Sequence, residues 1–134
     1  SNTGSISTDG SATITVQAKD QFGNNLTASG GTVVLSTTLG ALTAVTDNTN
    51  GTYTATLTST NTGSATISGS VAGNAITDTE VVTVTAGGAS LTTSQVTAAP
   101  TSITAGTNST ITVQLRDASN NPLTAGAGTV ELAV

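Results

Sequence analysis

The chain contains no Cys, His, Met or Trp and only one Tyr and one Phe in 134 residues. Without Cys there is no disulfide framework, so the usual clue to an oxidising compartment is simply absent. Without His, general acid/base chemistry at neutral pH loses its commonest agent, and a Ser nucleophile would have Lys19 as its one conceivable base. No paired carboxylates stand out either. Catalysis therefore fails on inventory, and no catalytic, cofactor-binding or metal-binding residue is assigned. Basic residues are equally scarce. Lys19 and Arg116 are the whole supply against seven acids, for a net charge of −5. Nucleic-acid binding needs several cations to neutralise phosphates and usually aromatics for stacking, so it is excluded. Anionic membrane surfaces are excluded on the same ground. No apolar run approaches the roughly 20 residues of a membrane helix, and no basic stretch followed by an apolar one marks a signal peptide.

What is present is hydroxyl. Thr and Ser make up about a third of the chain, while charged residues are only 7%. Thr is β-branched and suits a pleated surface that faces water. The composition therefore predicts an all-β protein whose exposed faces are hydrated by hydroxyls rather than by charge.

The chain also matches itself. Residues 5–35 align with 102–132 without a gap at a spacing of 97, and roughly half of the aligned positions are identical. Thr13-Ile14-Thr15-Val16-Gln17 recurs as Thr110-Ile111-Thr112-Val113-Gln114, Lys19-Asp20 as Arg116-Asp117, and Leu26-Thr27-Ala28 as Leu123-Thr124-Ala125. A period this long is unlike a short-coil solenoid and fits one whole β-sandwich domain. It also argues against an ice-binding array of Thr-x-Thr stripes, which needs a short regular coil. The reading is a tandem repeat of about 97 residues. Residues 1–88 form a first domain, the junction lies at Ala86-Gly87-Gly88-Ala89, and residues 89–134 are the N-terminal part of a second copy. Counterparts of Leu91–Ala99 would precede Ser1, and Leu91–Thr97 is expected to be a first strand whose equivalent the first copy could borrow from a neighbour.

Alternation of apolar residues marks half-buried strands: Ala12, Ile14, Val16 and Ala18; Tyr53, Ala55 and Leu57; Ala65, Ile67 and Val71. Between them lie turn signals, among them Gly23-Asn24-Asn25, Gly30-Gly31, Asn48-Thr49-Asn50-Gly51 and Ala72-Gly73-Asn74. Strands are expected near 4–8, 11–19, 31–37, 41–46, 52–59, 63–71, 75–85, 91–98, 110–116 and 128–134, with essentially no helix.

The run Ser11-Ala12-Thr13-Ile14-Thr15-Val16-Gln17-Ala18-Lys19-Asp20-Gln21-Phe22-Gly23-Asn24 is followed by Gly31-Thr32-Val33-Val34-Leu35, by Gly40-Ala41-Leu42, by Asp47 to Ala55 and by Gly63-Ser64-Ala65-Thr66-Ile67. Together these resemble the bacterial Ig-like group 1 (Big-1) domain of invasins and intimins over nearly the whole chain. The second copy keeps Arg116-Asp117 and Asn121-Pro122-Leu123 but lacks the turn Gly at Ser119-Asn120. The resemblance implies an immunoglobulin-like antiparallel β-sandwich. It also implies tandem neighbours of the same kind on a bacterial cell surface, with an anchor in the outer membrane through other regions and a distal adhesive domain. Adhesive tips of this family usually carry extra domains with Cys and aromatics, so no binding residue is carried over. The function implied is a stalk or spacer that supports adhesion, each copy adding roughly 30–40 Å if strands run about 8 residues at about 3.4 Å each. The alternative is a module that itself contacts a host protein or glycan through loops or a sheet face, and the change from Gln21-Phe22 to Ala118-Ser119 is the one hint of it.

Each residue of chemical interest also has a plain structural reading. Asp20 and Asp117 beside Asn-rich turns could ligate calcium, but an Asp there more often caps the turn. Asp47-Asn48-Thr49-Asn50-Gly51 lacks the acidic spacing and distant bidentate Glu of a calcium loop. Tyr53 could stack on a sugar, yet its register with Ala55 and Leu57 makes it a turn-anchoring core residue. Lys19 could form an isopeptide crosslink, but its counterpart Arg116 cannot. The sequons at Asn25, Asn50 and Asn108 read as turns in so Thr-rich a chain.

Overall fold

The structure is a computed structural model that describes residues 4–134. Its backbone divides into two compact units, the first ending at Thr85 and the second being Ala86–Val134. Among the described residues there is no helix.

The first unit holds two sheets. Strand β1 (Gly4–Ser7) pairs with β9 (Glu80–Thr85), which pairs with β7 (Gly63–Val71) and through it with β3 (Val33–Thr37); short β8 (Asn74–Ala75) also hangs on β7. In the second sheet β6 (Thr52–Thr58) lies at the centre, with β2 (Ala12–Gln17) on one side and the two-residue strands β4 (Ala41–Leu42) and β5 (Thr46–Asp47) on the other. The alternation seen in the sequence decides which face of each strand is dry. In β6, Tyr53, Ala55 and Leu57 are buried while Thr54, Thr56 and Thr58 look outward. The core is where the sheets meet. Ile14 and Leu57 from one sheet pack on Ala65, Ile67 and Val82 from the other, and Ala18, Val33 and Tyr53 make a second cluster. Outside this core the small sheet is tiled with hydroxyls. Thr13 lies opposite Thr56 and Thr15 opposite Thr54, pairs that each contribute a few tenths of a kcal/mol.

The sandwich follows the expectation from sequence, with specific departures. The pairing of β1 with β9 is parallel, whereas the other ladders are antiparallel. The strand expected over 41–46 is broken into β4 and β5. Between them the Thr43 hydroxyl accepts the Thr56 amide at 2.9 Å, so a side chain replaces a backbone group in the ladder. The strand expected over 75–85 is likewise two elements, β8 and β9. The β7–β8 hairpin turns on Ala72 and Gly73, both at positive φ (48° and 82°), as a two-residue hairpin of this twist requires.

The second unit contains one hairpin-like ladder, β10 (Gln95–Ala99) against β11 (Thr110–Gln114). The first strand therefore starts at Gln95 rather than Leu91. Residues 91–93 form a turn closed by the Ser94 amide on the Ser90 carbonyl (3.1 Å), and the Thr93 hydroxyl is spent on the Asp117 carbonyl (2.7 Å). The strand expected over 128–134 does not form. Among the described residues 128–134 pair with no other strand, so their backbone groups make no ladder.

Leu57 is fully buried between the sheets and Val34 is 58% exposed on the outer face. Leu57→Ala is expected to lower unfolding free energy by about 2–5 kcal/mol, and Val34→Ala by less than about 0.5 kcal/mol. Urea denaturation of both variants checks the difference, and equal losses would contradict the packing described.

Candidate functional site

Most of the polar residues that the sequence offers for chemistry are gathered at turns, where Asp20, Asp47, Asn50 and Asp117 bond to nearby backbone. At the end of β2 the chain folds over Asp20. Oδ1 of Asp20 accepts the amides of Phe22 (2.8 Å) and Asn24 (2.9 Å), Oδ2 accepts the Asn24 side-chain amide (2.9 Å), and the Gly23 amide reaches the Asp20 carbonyl (3.1 Å). The Asn24 side-chain amide first, and its backbone amide next, hold the Asp20 carboxyl below the usual carboxylate range.

The same turn is built around Asp117. Its Oδ1 accepts the amides of Ser119 (3.0 Å) and Asn121 (2.8 Å), and the Asn121 side chain reaches both carboxylate oxygens. Where the first turn has Gly23 at φ 84°, the second has Asn120 at φ 69°. Asn is the non-glycine residue that most readily takes this left-handed conformation, so the turn survives loss of its glycine. Asp117 is fully buried and also accepts the Gly87 amide at 3.1 Å, whereas Asp20 is exposed. Arg116 straps the turn by donating from Nη1 to the Asn120 carbonyl (2.9 Å). Lys19 at the matching place is exposed, in a bridge to Asn25.

Tyr53 enters from the dry face of β6. Its hydroxyl accepts the Gly30 amide (2.8 Å) and donates to the Gly31 carbonyl (2.9 Å), which fixes the loop leading into β3. The ring is 2% exposed and packs with Ala18 and Val33, so it offers no face to a sugar. Beside it, Gln17 donates from one side-chain nitrogen towards the carbonyls of Ala18, Leu26 and Gly51 at 3.0–3.2 Å. The residue type gave no warning of that role, although the recurrence of Gln114 was the available signal; Gln114 reaches Leu115 and Leu123 in the same way. At the Asp47-to-Gly51 turn, Asp47 caps the Thr49 amide (2.8 Å) and Asn50 accepts both the amide and the hydroxyl of Thr52. Asn25 and Asn108 lie outside the strands. No three His, Cys, Asp or Glu side chains converge among the described residues. Phe22, at the tip of the Asp20 turn, is 80% exposed.

The sandwich fold is met in known proteins. The family model for domain 3 of invasin matches residues 1–87. The chain belongs to that family. Among solved structures it is similar to invasin, described as a bacterial integrin-binding protein, at 34% identity and a TM-score of 0.75 over 90% of this chain and 26% of that one. It is also similar to the Escherichia coli adhesin FdeC (31% identity, TM-score 0.66, 90% and 40% covered) and to InvD of Yersinia pseudotuberculosis (38% identity, TM-score 0.59, 81% and 32% covered). The chain thus spans well under half the length of each of these structures. No curated protein sequence matches it. The invasin-type sandwich expected from the Big-1 resemblance is what these comparisons show.

Two outcomes follow from the turn and the anchor. Asp20 should titrate below the ordinary carboxylate value of about 3.9, and Asn24→Ala should bring it back up. Because the folded value is depressed, the stabilisation it contributes is complete above the unfolded pKa and is lost as pH falls through the folded one. A carboxyl NMR titration with a midpoint at or above the ordinary value would contradict this. Tyr53→Phe leaves the Gly30 amide and Gly31 carbonyl without their partner and should cost about 1–3 kcal/mol in chemical denaturation, with no loss of strand content by circular dichroism.

Proposed function

We propose that the chain is a non-catalytic spacer from a bacterial cell-surface adhesin. Residues 1–88 are one Ig-like domain, residues 89–134 are the start of the next, and the whole carries a distal adhesive region away from an outer-membrane anchor that lies in other parts of the protein. The observation that carries this reading is the fate of the polar residues. Asp20, Asp47, Asn50 and Tyr53 are all hydrogen-bonded to backbone groups, and Asp117 repeats the Asp20 arrangement. Residues conserved in position between two matching segments, and used in both to close the same turn, serve a fold that is copied along a chain. The relatives are named as an adhesin and as an integrin-binding protein, which supports an adhesin context. Its partners on this reading are neighbouring repeats, with no nucleic acid and no membrane surface.

A second reading has one observation in its favour. Phe22 projects into solvent where the matching position holds Ser119, so the first turn offers an apolar contact that the second lacks. On that reading the module touches a host protein or glycan itself. Beads coated with the protein, tested for saturable adhesion to host cells and a glycan panel beside a charge-matched control, separate the two. The spacer predicts adhesion no greater than the control. Saturable adhesion that Phe22→Ser reduces at least severalfold would replace the spacer with the binding module.

A further inference from the structure

Asn50 is the one asparagine of the chain that is followed by glycine, and the turn between β5 and β6 holds the pair in an unusual way. Gly51 brings no Cβ to shield its own nitrogen, and it lies at φ 85°, where L side chains are rarely found. Among the described residues no hydrogen bond engages the Gly51 amide, although Gly51 is buried. A buried N–H without a partner is uncommon and calls for a reason. The single Asp-Gly pair, Asp9-Gly10, is the contrast, because there the glycine amide is taken by the Ser7 carbonyl at 2.9 Å. Next to the pair the backbone is strained, with the β-branched Thr49 at φ 60°.

The side chain of Asn50 is held as firmly as that amide is left alone. Its Oδ1 accepts the Thr52 amide at 3.0 Å and the Thr52 hydroxyl at 2.6 Å. An N–H can only donate, so the atom that meets the Thr52 amide is the oxygen, and Nδ2 is the other branch. The Thr52 hydroxyl is itself oriented, since the Asn48 side-chain amide donates to it at 3.1 Å and leaves its proton for Asn50. Two donors on one carbonyl oxygen draw charge from Cγ and stabilise the oxyanion that forms when a nucleophile adds there. The bond from Oδ1 to the Thr52 amide also closes a ring that contains both Cγ of Asn50 and the nitrogen of Gly51. Nucleophile, electrophile and oxyanion donors thus lie in three consecutive residues, and Asn50 is exposed, so a leaving group can escape.

We propose that Asn50 is a self-modification site, at which the Gly51 nitrogen displaces the side-chain amide as ammonia through a cyclic imide, and water then leaves aspartate or isoaspartate at position 50. The Gly51 nitrogen gives its proton to water and bonds to Cγ of Asn50, while the Thr52 amide and hydroxyl hold the oxyanion. The bond from Cγ to Nδ2 then breaks, and Nδ2 leaves as ammonia with its two hydrogens and one proton from solvent. Water adds to one of the two imide carbonyls and opens the ring, so the net reaction consumes water and involves no oxidant or reductant. The product carries one more negative charge than the parent chain at −5. The isoaspartate form also inserts a methylene into the backbone just before Gly51, whose carbonyl receives the Ala18 amide at 2.9 Å and the Gln17 side chain at 3.1 Å. The reaction therefore acts on the tie between this turn and the end of β2. It stands apart from the spacer reading, since a spacer or a binding module could equally carry it.

The test is incubation of the whole chain near neutral pH in water enriched in heavy oxygen, once folded and once unfolded in urea, with mass spectrometry locating the product. The expected result is conversion at position 50 with uptake of one heavy oxygen, about tenfold faster in the folded chain than in the unfolded one. Thr52→Ala should slow the folded reaction about tenfold without changing the circular dichroism spectrum or the rate in urea. Thr52→Ser should keep the parent rate, and Asn48→Ala, which removes the donor that orients the hydroxyl, should slow it severalfold. As isoaspartate accumulates, the Ala18 amide should exchange faster. Folded conversion no faster than unfolded, equal folded rates for Thr52→Ala and the parent, or no heavy oxygen at position 50 would overturn the proposal.

Discussion

The hydroxyl of Tyr53 is where the first unit is tied together. The residue lies on β6, the central strand of the small sheet, and its two bonds go to Gly30 and Gly31, just before the chain enters β3 of the other sheet. A sandwich whose core is built from Ala, Val, Ile and Leu has few large side chains to fix how its sheets meet. Here one phenol spans the gap, satisfies a donor and an acceptor in the loop it reaches, and packs its ring on Ala18 and Val33. A Cβ at Gly30 would come within 2.8 Å of Leu26 Cδ1 and 3.3 Å of the Ala18 Cβ, so the Leu26 side chain would have to shift.

Around that tie the polar chemistry is short-range. Carboxylate and amide groups of Asp20, Gln17, Asp47 and Asn50 reach nearby backbone groups. With charged residues at 7%, the surface is left to Thr and Ser on the outward positions of the strands. Such a surface is hydrated mainly by hydroxyls, and the seven acids against two cations leave it net acidic.

Much of this was legible in the sequence because the signals are local. The period-2 pattern of Tyr53, Ala55 and Leu57 names the dry face of β6, and Asp20 before Gly23-Asn24 names a capped turn. What stayed hidden depends on partners far along the chain or on hydroxyls with two uses. Parallel pairing of β1 with β9 joins residues nearly eighty apart and leaves no periodic trace. Thr43 and Thr93 have the composition of strand residues, yet their hydroxyls engage a ladder amide and a turn carbonyl, which ends one strand early and starts another late. Asn120 shows the opposite case, a missing glycine signal with the turn intact.

The recurring Thr-Ile-Thr-Val-Gln segment shows how far a strand's own sequence goes. In β2 its Ile14 is 7% exposed, and in β11 the identical position, Ile111, is 48% exposed. One copy is paired through the even-numbered edge facing β6, the other through the opposite edge facing β10. Identical residues adopt the same extended backbone in both, so the propensity to be a strand is intrinsic to the segment. Which edge is used, and whether the isoleucine is dry, is set by what the rest of the chain brings beside it. A Thr-rich strand of this kind is a generic component, and its specificity arises from the turn residues that aim it: Asp20 and Gly23 in one place, Asp117 and Asn120 in the other.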